Sequence, residues 1–301
     1  MGTLVTIRPL LPALVAALAL LGAAAAGPAE AATKKKTVRK KPAAIPMVPR
    51  PHDPFEVSFL SSDGVRLVAS WRPAPSGPSA PAVLLLHAFS RERRELAGVA
   101  DELGARGFAT LALDLRGHGD SVKKGTAVVG LSPSLQTSPN GFPRDVEAAC
   151  AWLRERAPRV GVVGFSLSGN LAALATAAGW ADAGVAVSAN ADRLAPLAGT
   201  RPTAPRGLLV LASEKDPGRA ESAQSLDASG LDPKSLFLYP GSAHALDLLR
   251  NEPEARTAVL YWLDARLGPA PPPPAPVATV PPSEPGDALE ASPPATGGDT
   301  R

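Results

Sequence analysis

The chain has 301 residues and a single cysteine, Cys150, so no intrachain disulfide can form and any fold must rest on burial. The net charge of +3 is unevenly spread: residues 33–50 carry +7, residues 268–301 carry −3, and residues 51–267 are left at −1. No basic helix or aromatic interleaving accompanies the positive stretch, which argues against nucleic acid as a partner. The scattered histidines, with no Cys cluster, argue against a metal site.

Residues 1–32 read as a signal peptide. Arg8 forms a short positive region, Leu10 to Ala26 is an apolar run, and small residues at 24–26 or 29–31 offer cleavage sites. The expected location is periplasmic or secreted. The alternative is an uncleaved membrane anchor, but the run is 17 residues, where a spanning helix needs about 20, and the basic cluster would then lie on the translocated side. No cysteine follows the run, so a lipoprotein anchor is excluded. Residues 33–54 combine six lysines and arginines within 34–41 with five prolines and read as a disordered basic linker, solvated or touching an anionic envelope surface.

The foldable part is expected at 55–267. Residues 55–60 and 65–71 alternate in hydrophobicity around Ser61-Ser62-Asp63-Gly64, a hairpin signal. Residues 82–86 and 108–113 are continuous apolar runs of the kind buried on both faces of a parallel sheet. Between them, 91–106 has Leu96, Val99, Ala100 and Leu103 on one helical face. The alternation continues with helix 143–157, strand 160–165, helix 167–179, strands 184–188 and 207–213, helix 218–228, strand 235–239 and helix 252–267. Cys150 falls on the apolar face of helix 143–157 with Val146, Ala149 and Leu153, a core position. Residues 268–301, opening on Pro271 to Pro274, read as a disordered Pro/Ala-rich tail. Strands alternating with helices predict a doubly wound α/β sheet, with ligands bound beyond the carboxyl ends of the strands.

Those strand ends carry the chemistry. The run Gly164-Phe165-Ser166-Leu167-Ser168-Gly169 leads a strand into a helix through a turn that tolerates only small neighbours and projects the Ser166 hydroxyl. Taken alone, such a serine could equally cap a helix. Other strand ends carry His87-Ala88-Phe89-Ser90, Asp114-Leu115-Arg116-Gly117-His118-Gly119-Asp120-Ser121, Ser213-Glu214-Lys215-Asp216-Pro217 and Tyr239-Pro240-Gly241-Ser242-Ala243-His244. A serine, an acid and a histidine, each on its own loop, are the groups acyl transfer needs. The hydroxyl is a poor nucleophile until histidine takes its proton, and a carboxylate fixes the histidine's tautomer.

In this order and with these motifs, residues 55–267 resemble the α/β-hydrolase superfamily, whose apolar strand followed by His-Gly-x and Asp-x-Arg-Gly-His-Gly-x-Ser loop are matched at 84–89 and 114–121. The resemblance implies an α/β-hydrolase fold of about eight mostly parallel strands, with an antiparallel N-terminal hairpin and helices on both faces. It implies Ser166 as nucleophile, Asp216 as acid and His244 as base, with the backbone N–H groups of Phe89 and Leu167 forming the oxyanion hole. Asp192 is the alternative acid, Glu214 lies too close to its strand, and His87 and His118 are expected to organise loops. His52, in the linker, is expected to be inert. Two positions depart from the pattern, since Ala88 and Ser168 stand where the family usually keeps glycine: Ala88 restricts the loop slightly but still leaves the Phe89 N–H free to act, and the Ser168 side chain is small enough for the turn, crowding there being the way it would lower activity.

Only residues 189–206 separate two strands where relatives insert a lid, so no large cap is expected and the site should be open. That economy resembles dienelactone-hydrolase-like and short-chain esterase branches more than lipases. The insertion at 121–142 is expected either to line the pocket or to form a plain loop. The implied protein is an exported serine hydrolase acting on a small carboxylic ester or related acyl substrate, without a cofactor. The alternatives are a peptidase or thioesterase of the same fold, or a non-catalytic envelope-binding scaffold.

Overall fold

The computed structural model describes residues 52–268. The expected signal peptide, most of the basic linker and the proline-rich tail lie outside the described residues. Asp53, at the end of the linker, is anchored: its carboxylate accepts from the Phe55 N–H at 3.0 Å and from the Ser70 hydroxyl.

The hairpin forms as expected, with β1 (Glu56–Leu60) antiparallel to β2 (Val65–Arg72). Beyond it, β3 (Ala82–Leu86), β4 (Ala109–Asp114), β7 (Val160–Phe165), β8 (Ala183–Val187), β9 (Arg206–Ser213) and β10 (Leu231–Tyr239) run parallel in the order β10-β9-β8-β7-β3-β4. β2 joins β4 antiparallel at the far side. The chain builds β3 and β4, then crosses back to place β7 on the other side of β3. This reversal opens a crevice beyond the ends of β3 and β7, the position where such sheets bind ligands.

Apolar residues cover both faces of this sheet. Leu84 and Leu86 of β3, Val160 and Val162 of β7, and Leu208, Val210 and Ala212 of β9 face one core layer, where α2 (Phe142–Arg154), α3 (Leu167–Ala177) and α5 (Arg219–Ser229) pack. Val83, Leu85, Val163, Phe165, Leu209 and Leu211 alternate onto the other, under α1 (Ala97–Ala105) and α7 (Pro253–Leu267). Each buried leucine contributes about 1.5–3 kcal/mol. Cys150 lies within the first layer, fully buried, as its helical face predicts.

Four details differ from the sequence expectation. The sheet has ten strands among the described residues rather than about eight, because the 121–142 insertion contributes a two-stranded ribbon, β5 (Lys123–Lys124) and β6 (Ala127–Val128), too short to leave a periodic signal. The helix expected over 91–106 begins as a 3₁₀ turn at Arg93–Leu96, because the buried Arg93 is drawn inward by Asp114 through its N–H at 2.7 Å and its guanidinium. β10 starts at Leu231, with an irregularity between Leu231 and Lys234 around Pro233, a residue tolerated on an edge strand. Two short helices, α4 (Leu194–Ala198) and α6 (Leu246–Asn251), occupy segments read as loops.

A 3₁₀ turn at Ala191–Arg193 and the five-residue α4 fill the lid position, so among the described residues there is no large cap. The insertion is largely exposed but is tied to the domain at a few points. Val129 and Leu135 lie against the core, and a Cβ on Gly117 would come within 3.0 Å of the Gly130 carbonyl oxygen and the Leu131 nitrogen. Its far end meets the α4–β9 connection, where Arg201 donates to the Pro139 carbonyl at 3.3 Å. Among the described residues no helix is long and apolar enough to cross a membrane.

Candidate active site

Ser166 follows β7 directly and precedes α3, with φ 55° and ψ −117°. An L-residue there is strained by roughly 1–3 kcal/mol and persists only where its surroundings over-determine it. Gly164 shows how tight the turn is, since a Cβ there would lie 1.9 Å from the Ser168 carbonyl oxygen. The Ser166 N–H donates to the Val187 carbonyl at 2.8 Å and its carbonyl accepts from the Gly169 N–H at 2.9 Å, which pins the turn at both ends. The half-buried hydroxyl is thereby presented at the crevice between β3 and β7.

His244, on the loop after β10, completes a continuous chain of contacts. Its Nε2 lies 2.9 Å from Ser166 Oγ and its Nδ1 lies 2.6 Å from an Asp216 carboxylate oxygen. With Asp216 ionised, Nδ1 carries the proton and Nε2 is left to accept the serine's. Asp216 is buried, whereas the His244 side chain is 41 % exposed. The site is open on the histidine side. Such an arrangement can draw a proton from Ser166 as its oxygen attacks a carbonyl, and can hold the resulting imidazolium beside a carboxylate.

The alternative acids are elsewhere. The His244 Nδ1 is taken by Asp216, and the Asp192 and Glu214 side chains are exposed. His52 is likewise exposed. Among the described residues no cluster of three His, Cys, Asp or Glu side chains could hold a metal ion.

His87 and His118 organise the neighbouring loops. His87 Nε2 accepts from the Leu115 N–H at 3.1 Å and its Nδ1–H donates to the Ala88 carbonyl at 2.8 Å. His118 Nε2 accepts from the Ser90 N–H at 3.1 Å and its Nδ1–H donates to the Arg116 carbonyl at 3.1 Å. Both rings are buried and neutral: burial pushes His87 down to about 4 and His118 below its ordinary value. Together they fasten the segment that carries Phe89 to the 114–121 loop. The N–H of Phe89 has no acceptor among the described residues, and Leu167, as the first residue of α3, has no carbonyl four residues back within the helix.

Ser168 fits within the turn. Its side chain does not crowd the turn: it is fully buried and donates to the His87 carbonyl at 2.6 Å.

The 114–121 loop is held from beneath by two buried arginines. Arg116 pairs with Asp63 at 2.8 Å and with the fully buried Asp145 at 2.8 Å, and its N–H donates to Asp145 at 2.9 Å. Desolvation would pull the guanidinium down, but the hydrogen bonds to Asp63 and Asp145 hold it above its ordinary value. Arg93 meets Asp114, Asp120 at 2.8 Å and Glu56 at 2.8 Å. These pairs are not legible in the sequence, because partners 21 to 53 residues apart leave no periodic signal. Sequence reading also misses two serines next to the His244 loop, Ser188 and Ser213, although both stand at strand ends.

The fold matches that of known proteins. A family model described as "Alpha/beta hydrolase family" matches residues 83–296, more than half of the chain. An esterase of Pyrococcus furiosus superimposes with a TM-score of 0.57 at 18 % identity, over 71 % of this chain and 92 % of that one. A dienelactone hydrolase of Anabaena variabilis gives 0.53 at 21 % identity, over 72 % of this chain and 100 % of that one. A Xanthomonas campestris protein described as an a/b serine hydrolase without lid gives 0.54 at 19 %, over 72 % and 97 %. At these identities the likeness concerns the fold alone. No curated protein matches the sequence. The chain belongs to the alpha/beta hydrolase family.

Proposed function

We propose that the protein is an exported serine hydrolase that cleaves carboxylic esters of small acyl groups through an acyl-enzyme. The observation that carries this reading is the unbroken relay from Ser166 Oγ through the His244 ring to Asp216, at 2.9 and 2.6 Å, with the serine held in a strained turn.

In the proposed reaction, Ser166 Oγ attacks the ester carbonyl while His244 Nε2 takes its proton. Asp216 holds the imidazolium and its tautomer. The tetrahedral oxyanion is met by the N–H groups of Phe89 and Leu167, each such donor being worth about 10²–10³ in rate. His244 then protonates the departing alcohol, and the acyl group remains on Ser166. Water enters through the open histidine side, gives a proton to His244 and attacks the acyl carbon. Collapse returns the proton to Ser166 and releases the acid. The same parts serve thioesters and peptides. The short α4 and lack of a large cap favour small, accessible esters over long acyl chains.

A panel of p-nitrophenyl esters of increasing chain length tests the reading. Turnover should fall with acyl length and be lost in Ser166→Ala; best turnover on long chains would contradict the open-site reading. Export rests on residues 1–32, and N-terminal sequencing of exported protein should begin between Ala25 and Thr33.

A further inference from the structure

His244 carries the central proton transfers of the proposed reaction, yet its side chain is 41 % exposed, so packing alone does not fix the ring. What fixes it lies on either side in the chain. Ala243 presents its carbonyl to the Ser213 hydroxyl, which donates at 2.6 Å. Ala245 presents its N–H to the Ser188 hydroxyl oxygen, which accepts at 3.0 Å. Both serines are fully buried, and among the described residues neither hydrogen-bonds to Ser166.

Backbone geometry shows why such ties are needed. Ala245 has φ 54° and ψ −122°, almost the conformation of Ser166, and Ser188 has φ 51°. An L-residue in this region relaxes unless neighbouring contacts hold it. Ser188 is itself tied down, its N–H donating to the Leu211 carbonyl at 2.8 Å. Ser213 adds a second link. Its carbonyl accepts from the Asp216 N–H at 3.2 Å while its hydroxyl holds Ala243, so one residue at the end of β9 fixes the loops of both the acid and the base.

We propose that Ser188 and Ser213 are positioning residues that clamp the two neighbours of His244 so that the imidazole spans Ser166 and Asp216. The proposal rests on the serine-hydrolase reading for its effect on rate, but the clamp itself is a statement about the resting protein. Releasing either side lets the ring move by a fraction of an ångström, and a misplacement of about 1 Å costs on the order of 10²-fold in rate.

The test uses the full chain, with Ser188→Ala, Ser213→Ala and the double variant. Steady-state kinetics on a p-nitrophenyl ester should show kcat down about tenfold in each single variant and about 100-fold in the double, with KM within about twofold. Proton–nitrogen NMR of the histidine side chains supplies a second readout that needs no turnover. The far-downfield Nδ1 proton that His244 shares with Asp216 should be sharp in the wild type and broadened or lost in the variants at temperatures where they remain folded. If the double variant does not fold, the two single variants carry the same comparison. A kcat loss that tracks lowered thermal stability while the His244 resonance stays intact would overturn the clamp, as would wild-type kcat and resonance in both singles. Failure of the wild type to turn over any ester would instead count against the serine-hydrolase reading, and the resonance would still decide the clamp.

Discussion

The Ser168 hydroxyl donates to the carbonyl oxygen of His87 at 2.6 Å, joining the first turn of α3 to the loop that carries Phe89. The bond spans the crevice between β7 and β3, where the nucleophile turn and the Phe89 N–H must keep a fixed separation. Ser168→Ala leaves a buried carbonyl unpaired and should cost about 1–2 kcal/mol in chemical denaturation. We expect kcat to fall several-fold with KM little changed. Ser168→Gly, the family's usual residue, should not raise kcat; a gain in turnover would mean that the hydroxyl hinders the site.

Acid stability should follow His87. Its pKa is about 6.5 in the unfolded chain and is pushed down to about 4 by burial in the fold. The neutral ring therefore contributes stability in full above pH 6.5, lost as pH falls through about 4, amounting to on the order of 3 kcal/mol. Burial of His118 acts in the same direction. Urea midpoints should hold between pH 7.5 and about 6.5 and fall from there to pH 4, and His87→Asn should flatten that fall after correction for its lower starting stability. An unchanged slope in the variant would assign acid sensitivity elsewhere.

Much of this was legible in the sequence, and the boundary is physical. Runs such as 82–86 and 160–165 are short and continuously apolar, and their alternation with helical segments marks them as buried parallel strands. Ser166, Asp216 and His244 were readable because the topology places strand ends together and the three residue types have one well-known joint use. Arg93 with Asp114, and Arg116 with Asp63 and Asp145, were not, since each is meaningful only once distant segments meet. Ser188 was read as the last residue of its strand. The strand instead ends at Val187, and the backbone turn at Ser188 frees the hydroxyl to meet Ala245. The small size of Ser168 speaks for its fitting the turn, but its tie to the His87 carbonyl has meaning only once α3 and the segment after β3 meet.

The Arg116–Asp145 pair should show strong coupling. Asp145 is fully buried, and burial pushes its carboxyl up to about 6 against the pull of Arg116. Arg116→Met strands that carboxyl and should cost about 3–5 kcal/mol, whereas Arg116→Met with Asp145→Leu should recover part of the loss. Additive losses in a double-mutant cycle would contradict the pairing.

Cys150 should be silent in the native state. It is fully buried, and burial pushes its thiol up to about 12. A thiol reagent such as DTNB at pH 8 should label it only in denaturant, at the rate of unfolding. Fast stoichiometric labelling of folded protein would show that α2 does not pack as described.

The most direct measurement is intact-mass spectrometry of the purified protein after treatment with a fluorophosphonate, followed by peptide mapping. The proposed mechanism predicts one adduct per chain, on Ser166, absent in Ser166→Ala and slowed by on the order of 10³-fold or more in His244→Ala. No adduct on the folded wild type, or labelling that persists in Ser166→Ala, would contradict it.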